Sequence, residues 1–192
     1  MTTAADDHRH IAASFTDRVN NVLTTGWDAP APVQGWVARD VVRHLVTWLP
    51  PFLHSGAGIT LPPGPSVDDD PAAAWAAHTK AVQAVLDDPA NESAILSNPH
   101  IGDMPLSAAI ANIYTADVFM HTWDLARATG QDDSLDATRC EMMYQGMQPL
   151  DDVLRSSGQY GPRVPVADEA DAQTRLLGFI GRNPTWQPTT IA

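Results

Sequence analysis

The chain has 192 residues, 44% of them hydrophobic and 18% charged, a composition that builds a packed globular core and not a disordered or fibrous chain. Its formal net charge is −12, from 23 acidic and 11 basic residues. So acidic a chain repels phosphate backbones and anionic lipid, which argues against nucleic acid and membrane surfaces as partners.

Five segments carry apolar residues at helical spacing. The first, residues 7–23, aligns Ile11, Phe15, Val22 and Leu23 near one face. The second, 38–54, is apolar nearly all round (Val41, Val42, Leu45, Val46, Trp48, Leu49), the mark of a buried helix, and Pro50 and Pro51 are expected to end or kink it. The third, 71–87, opens at Pro71 and gathers Trp75, Val82, Val85 and Leu86. The fourth is 104–129, closed by Gly130. The fifth, 134–155, carries the stripe Cys140, Met143, Met147, Leu150 and Leu154, with Pro149 as a kink point. A short sixth helix fits 171–181. Connections 24–36, 55–70 and 88–103 are rich in Pro and Gly, and 94–97 and 163–166 read at most as short extended pieces. The expectation is an all-α fold: one domain over 1–192, a four-helix bundle with short extra helices and long Pro/Gly-rich loops.

Cys140 is the only cysteine, so no disulfide forms within the chain. The start MTTAADDHRH has no basic-then-apolar leader, and no apolar run nears the ~18 residues of a membrane span. A cytoplasmic protein is expected. The arginine and alanine bias, with Lys80 as sole lysine, suggests a GC-rich bacterial genome.

The stretch TADVFMHTWDLARATG, residues 115–130, holds the chemistry. At about 100° per residue, Asp117, His121 and Asp124 share one side with Ile110, Tyr114, Leu125 and Ala128. The other side, with Asn112, Thr115, Phe119, Thr122 and Ala126, is the more tolerant of water. The carboxylates and imidazole are thus expected to face the bundle interior, where charges are paired or bound to metal. Asp117 and His121, at i and i+4, are close enough to grip one ion. His44, in the buried stretch of the second helix, supplies a third ligand, and two histidines with one carboxylate leave coordination positions open. Spacing alone admits both this site and a hydrogen-bonded structural Asp–His pair. Asp124 is expected to pair with Arg127 or Arg39, or to support a ligand; Asp40 to serve its helix N-terminus. His54, His78 and His100 read as solvated or capping residues, Cys140 as a small core residue, and Trp36, Trp48 and Trp123 as core. Arg39 and Arg43 read as surface residues, with an anchor for an anionic substrate as the alternative.

Three stretches resemble a known family. VQGWVARDVVRHLVTW (33–48) is similar to its second-helix motif, ADVFMHTWDLARATGQ (116–131) to its Asp/Glu-x-x-x-His-x-Trp-Asp motif, and GPRVPVADEADAQTRLLGFIGRNPTW (161–186) to its C-terminal ending, a tail of about 156–192. These are the actinobacterial mycothiol-dependent maleylpyruvate isomerase N-terminal-like proteins of the DinB-like metal-binding superfamily. The resemblance implies a DinB-like four-helix bundle holding a divalent metal, zinc or nickel, with His44, Asp117 and His121 as ligands. In the isomerase the carboxylate ligand is a glutamate, where this chain has Asp117, and a further C-terminal domain contributes to the active site, where this chain has the short tail.

The expected function is that of a metal- and thiol-dependent isomerase or S-transferase. Mycothiol would be the thiol and a small electrophile the substrate, with Asp124 orienting a ligand and Tyr114 donating a proton. The alternatives are a non-catalytic metal-containing bundle that binds a small molecule or partner, and a non-haem iron oxygenase. Metal identity, substrate and oligomeric state stay open, a homodimer being one option.

Overall fold

The computed structural model describes residues 2–188, so the end of the expected tail, 189–192, lies outside the described residues. Helix α1 (Ala4–Asn20) starts where the Thr3 hydroxyl accepts from the Asp6 amide, and Asp6 and Asp7 suit the positive end of its dipole. Helix α2 (Ala38–Ala57) is capped by the Asp40 carboxylate, which accepts from the Val37 amide, as the sequence implied. Pro50 and Pro51 do not end it. Each removes an N–H from the helical ladder, but Leu49 and Leu53 are fully buried on either side, and their packing carries the helix on to a left-handed cap at Gly58. Helix α3 (Pro71–Asp87) opens with Pro71 in its first turn and the Asp70 carboxylate as cap.

The connection after α3 is not only loop. Strands β1 (Ile95–Asn98) and β2 (Gly102–Pro105) form an antiparallel hairpin in the register Leu96↔Met104. With four residues each and one buried side chain between them, Leu96, they are too short to show alternation in sequence. The hairpin packs on α2 at Gly56, where a Cβ would stand 2.8 Å from the Leu96 side chain.

The fourth expected helix begins two residues late and is composite. Helix α4 (Leu106–Ala109) leads into a π-helical turn (Ile110–Thr115) and then into α5 (Ala116–Thr129), which ends on Gly130 in the left-handed region. The fifth breaks at Pro149 as expected: α6 (Ala137–Met147), a 3₁₀ turn (Gln148–Leu150) and α7 (Asp151–Ser156). Helix α8 (Ala172–Phe179) follows, and 163–166 forms no strand.

α1 packs on α3 and α5, and α2 packs on the same two helices, so four helical segments enclose one core running from Ile11 to Ile180. α6 and α8 pack on each other beside these four and add Cys140, Leu176, Leu177 and Phe179 to the same core. The fold is mostly helical, and no helix among the described residues is long and apolar enough to cross a membrane.

α5 has no watery side. Thr115, Phe119, Thr122 and Ala126, expected to tolerate solvent, are buried. α1 covers α5, and the Arg139 guanidinium, 5.2 Å from the Phe119 ring, lies over it from α6. Thr122 satisfies its buried hydroxyl by donating back along the helix to the Val118 carbonyl (2.9 Å), whereas Thr115 Oγ1 has no partner among the described residues.

Candidate metal centre

α2 and α5 lie against each other, and their contact brings together the residues named from sequence. His44 comes from α2, Asp117 and His121 from one face of α5. One ligand atom from each lies within 4.8 Å of the other two. His44 Nε2 donates to Asp117 Oδ2 (3.0 Å), and His121 Nε2 stands 3.4 Å from Asp117 Oδ1. Asp117 therefore sits between the two imidazoles.

The set is graded in exposure. The side chains of His44 and Asp117 are 29% and 19% exposed, that of His121 only 6%. The open side is at α2. There the Trp36 ring stacks on His121 (centroids 5.8 Å apart) and tilts over His44 (5.3 Å). Trp48, one turn beyond His44, donates its indole N–H to Asp117 Oδ2 (3.0 Å). Both tryptophans are only partly buried and belong to the centre, whereas Trp123 is core, as expected.

Behind His121 lies a second layer. His121 Nδ1 donates to Asp124 Oδ2 (2.8 Å), and Asp124 is 1% exposed. Its expected partners, Arg127 and Arg39, are engaged elsewhere: Arg127 with Asp133 and the Pro184 carbonyl, Arg39 with Asp28 and the Asp68 carbonyl. Asp124 is instead held by Arg182, from the turn after α8. Arg182 Nε donates to Oδ1 (2.9 Å) and Nη2 to Oδ2 (3.0 Å). Sequence reading missed Arg182. Its one signal was a lone arginine behind the apolar run LLGFIG.

The electrostatics follow from these contacts. Burial pushes the Asp117 carboxyl upward, but the His121 charge and the His44 hydrogen bond outweigh it and hold Asp117 below its ordinary value. Burial likewise raises Asp124, and the Arg182 guanidinium and the His121 hydrogen bond more than reverse it. Both carboxylates are thus ionised at neutral pH, facing one guanidinium and two imidazoles. Tyr160, on the connection after α7, is close enough to Asp117 to feel its charge; burial first, then that charge, push its phenol up to about 12.

Tyr114 stands apart. It is fully buried, its ring against Trp48, His8 and His78, and its hydroxyl has no hydrogen-bond partner among the described residues. Burial and then the Asp117 charge raise its phenol well above the ordinary value. His78, expected to be solvated, is buried with it, because α3 turns that side chain toward the core beside Trp75. His54 and His100 are exposed, as expected. Arg43 pairs with Asp40 and Asp68 at the surface.

Two imidazoles and a carboxylate, with donor atoms this close and one imidazole fixed through its far nitrogen, form a group that could hold a metal ion. The residues fit such an ion: Nε2 of each histidine and either oxygen of Asp117 are the atoms available to hold it.

No protein-family model matches the chain, and no solved structure matches it. Two curated relatives from Mycobacterium tuberculosis, one from strain CDC 1551 / Oshkosh and one from strain ATCC 25618 / H37Rv, are each 27% identical over 177 residues. The alignment covers 91% of this chain and 95% of each relative, and both relatives are described as uncharacterized proteins.

Proposed function

We propose that the protein is a divalent-metal protein of the DinB-like, maleylpyruvate isomerase N-terminal-like type. It would use a low-molecular-weight thiol, mycothiol, on a small electrophile in the cytoplasm. The observation that carries the proposal is the convergence of His44, Asp117 and His121 within 4.8 Å. The three sequence motifs support the family and the thiol; the two relatives align with nearly the whole chain but name neither a family nor a function.

A charge count supports an anionic ligand. Arg182 cancels Asp124, so Asp117 alone faces the ion. A divalent cation, zinc or nickel, would leave the centre with one surplus positive charge, which suits a thiolate. When bound, the ion supplies Lewis acidity that favours the thiolate over the thiol at neutral pH. The chain's part is to hold and aim: His44 and Asp117 form the accessible edge, Trp36 roofs it, and Asp124 fixes the ring of His121. The thiolate sulfur then bonds to an electrophilic carbon, and the adjacent π bond becomes a carbanion or enolate. Elimination of the thiolate after bond rotation restores the double bond and gives cis–trans isomerisation; protonation of the enolate, by the proton the thiol released on binding, keeps the C–S bond and gives the S-adduct.

Co(II) substitution tests the proposal. With Co(II) bound stoichiometrically, mycothiol is expected to produce a sulfur-to-metal charge-transfer band in the near ultraviolet, with proton release on mixing. The alcohol analogue is expected to produce neither. Stoichiometric Co(II) with no response to mycothiol overturns the thiol part and favours a non-catalytic metal bundle.

A further inference from the structure

His121 is the most buried of the three residues of the centre, and the contacts that hold it run beyond α5. We propose that Arg182 is a positioning residue of the metal centre, which makes the C-terminal segment part of the site. This rests on the metal reading above.

The chain delivers Arg182 by a defined local structure. Asp171 caps α8 at its start, accepting from the Thr174 amide (2.9 Å). At its end Gly181 takes a φ of +84°, and the Arg182 amide donates to the Leu177 carbonyl (2.9 Å), the reversal that left-handed glycine permits. A Cβ at Gly181 would meet the Pro162 carbonyl oxygen at 3.0 Å, so the turn is closely packed as well as left-handed. Two residues on, the Pro184 carbonyl accepts from Arg127 Nη2 (2.9 Å) and ties the segment to α5 a second time.

What Arg182 does there follows from the burial of Asp124. A carboxylate shut from water needs donors for both oxygens. His121 supplies one N–H, and that goes to Oδ2. Among the described contacts only Arg182 reaches Oδ1, and it reaches Oδ2 as well. This two-pronged grip fixes the plane of the carboxylate, which fixes the N–H of His121 and so the direction of Nε2 on the opposite side of the ring, toward Asp117. Without Arg182 the Asp124 side chain is free to rotate, and the ring loses its fixed bearing. A carboxylate behind a ligating histidine typically tunes metal affinity 10–100-fold. The inference places part of that effect 58 residues further along the chain.

Zinc affinity, measured by competition with a chromophoric chelator, tests this on the full chain. Arg182→Gln is expected to weaken zinc about tenfold or more, and Arg182→Lys to recover part of the loss. Adding Arg182→Gln to Asp124→Asn is expected to cost nothing beyond Asp124→Asn alone, because Arg182 acts through Asp124. Arg127→Gln loosens the same segment without touching Asp124; it is expected to lower Tm and leave zinc affinity within twofold. In zinc-loaded wild type, the His121 Nδ1–H proton is expected as a slowly exchanging, far-downfield NMR resonance that Arg182→Gln broadens or removes. Should Arg182→Gln unfold, Arg182→Lys carries the same comparison. A folded Arg182 variant with wild-type zinc affinity and an unchanged resonance overturns the inference while leaving the metal centre standing. A wild-type chain that takes up no metal overturns both.

Discussion

Two clusters of imidazoles occupy this bundle, and a short chain of rings joins them: His44 to Trp48 (6.3 Å), Trp48 to Tyr114 (5.7 Å), and Tyr114 to His8 and His78 (6.0 and 5.7 Å). In the first cluster, carboxylates converge on the rings. In the second no carboxylate hydrogen-bonds a ring among the described residues, and Asp7 and Asp87 reach His8 only through their charge. His8 Nδ1 donates to Gln83 Oε1 (2.9 Å), because the Gln83 amide group already gives its hydrogens to the Ala5 carbonyl and Asp87. His8 Nε2, His78 Nε2 and the Tyr114 hydroxyl are buried without a partner among the described residues. Burial lowers His8 below its ordinary value, and burial with the nearby His8 lowers His78 to about 4. One amphipathic design has thus produced two outcomes. Where an aspartate faces the ring, the imidazole is aimed and ready to bind a cation; where the neighbours are aromatic, it is held neutral.

The largest test of that difference is metal content. His44→Ala, Asp117→Ala and His121→Ala are each expected to lose most of about one divalent ion per chain. His78→Ala is expected to keep it. Full occupancy in all three ligand variants, read by elemental analysis of protein purified without a His tag or chelator, would show that the convergence is structural.

Acid should separate the clusters next. The folded pKa of His78 lies below its ordinary 6.5, so between pH 6.5 and about 4 the unfolded chain binds the proton that the folded chain refuses. The stability His78 allows is complete above pH 6.5 and is lost as pH falls through that window, by about 3 kcal/mol in total. Denaturant melts with a chelator present should show the slope, and His78→Leu should flatten it. An undiminished slope in that variant assigns the acid sensitivity to another group.

A smaller effect is expected where the two clusters meet. Trp48→Phe keeps the ring between His44 and Tyr114 but removes the N–H that Asp117 accepts. At a largely buried carboxylate such a hydrogen bond is worth about 1 kcal/mol, so zinc affinity should fall about fivefold with little change in Tm. A loss as large as that of Asp117→Ala would mean that Trp48 holds the whole centre.

The three residues of the candidate centre were legible in the sequence because local pattern sets them. Asp117 and His121 are one turn apart within uninterrupted α-helix, and His44 lies in a stretch too apolar to be surface. Asp124 was legible as a residue that needs a partner, but not its partner, since nothing local links position 124 to 182. Ile110 and Tyr114 are buried, as their side was read. What the sequence did not show is the π-helical turn Ile110–Thr115, where i→i+5 bonding fits about one extra residue. His78 was misplaced because a run of alanines around it blurs which face of α3 is inward. Of the hairpin, the extended piece at 94–97 was legible and matches β1 to within a residue, whereas β2 was lost to its brevity.

That widened turn also works as a phase adapter between two parts of the molecule. Before it, Leu106 and the hairpin follow one angular frame; after it, the two ligands on α5 follow another, about 100° away. Removing a single residue there, for instance the exposed Asn112, lets the helix run α throughout. The frames then come into step and the hairpin's seat on Gly56 swings round the axis. Nothing at the ligands would be deleted, yet one part must give way, either Leu96 leaving its seat or Asp117 turning from His44. The chain is therefore expected to tolerate substitution at the exposed Asn112 and no change in the length of the turn.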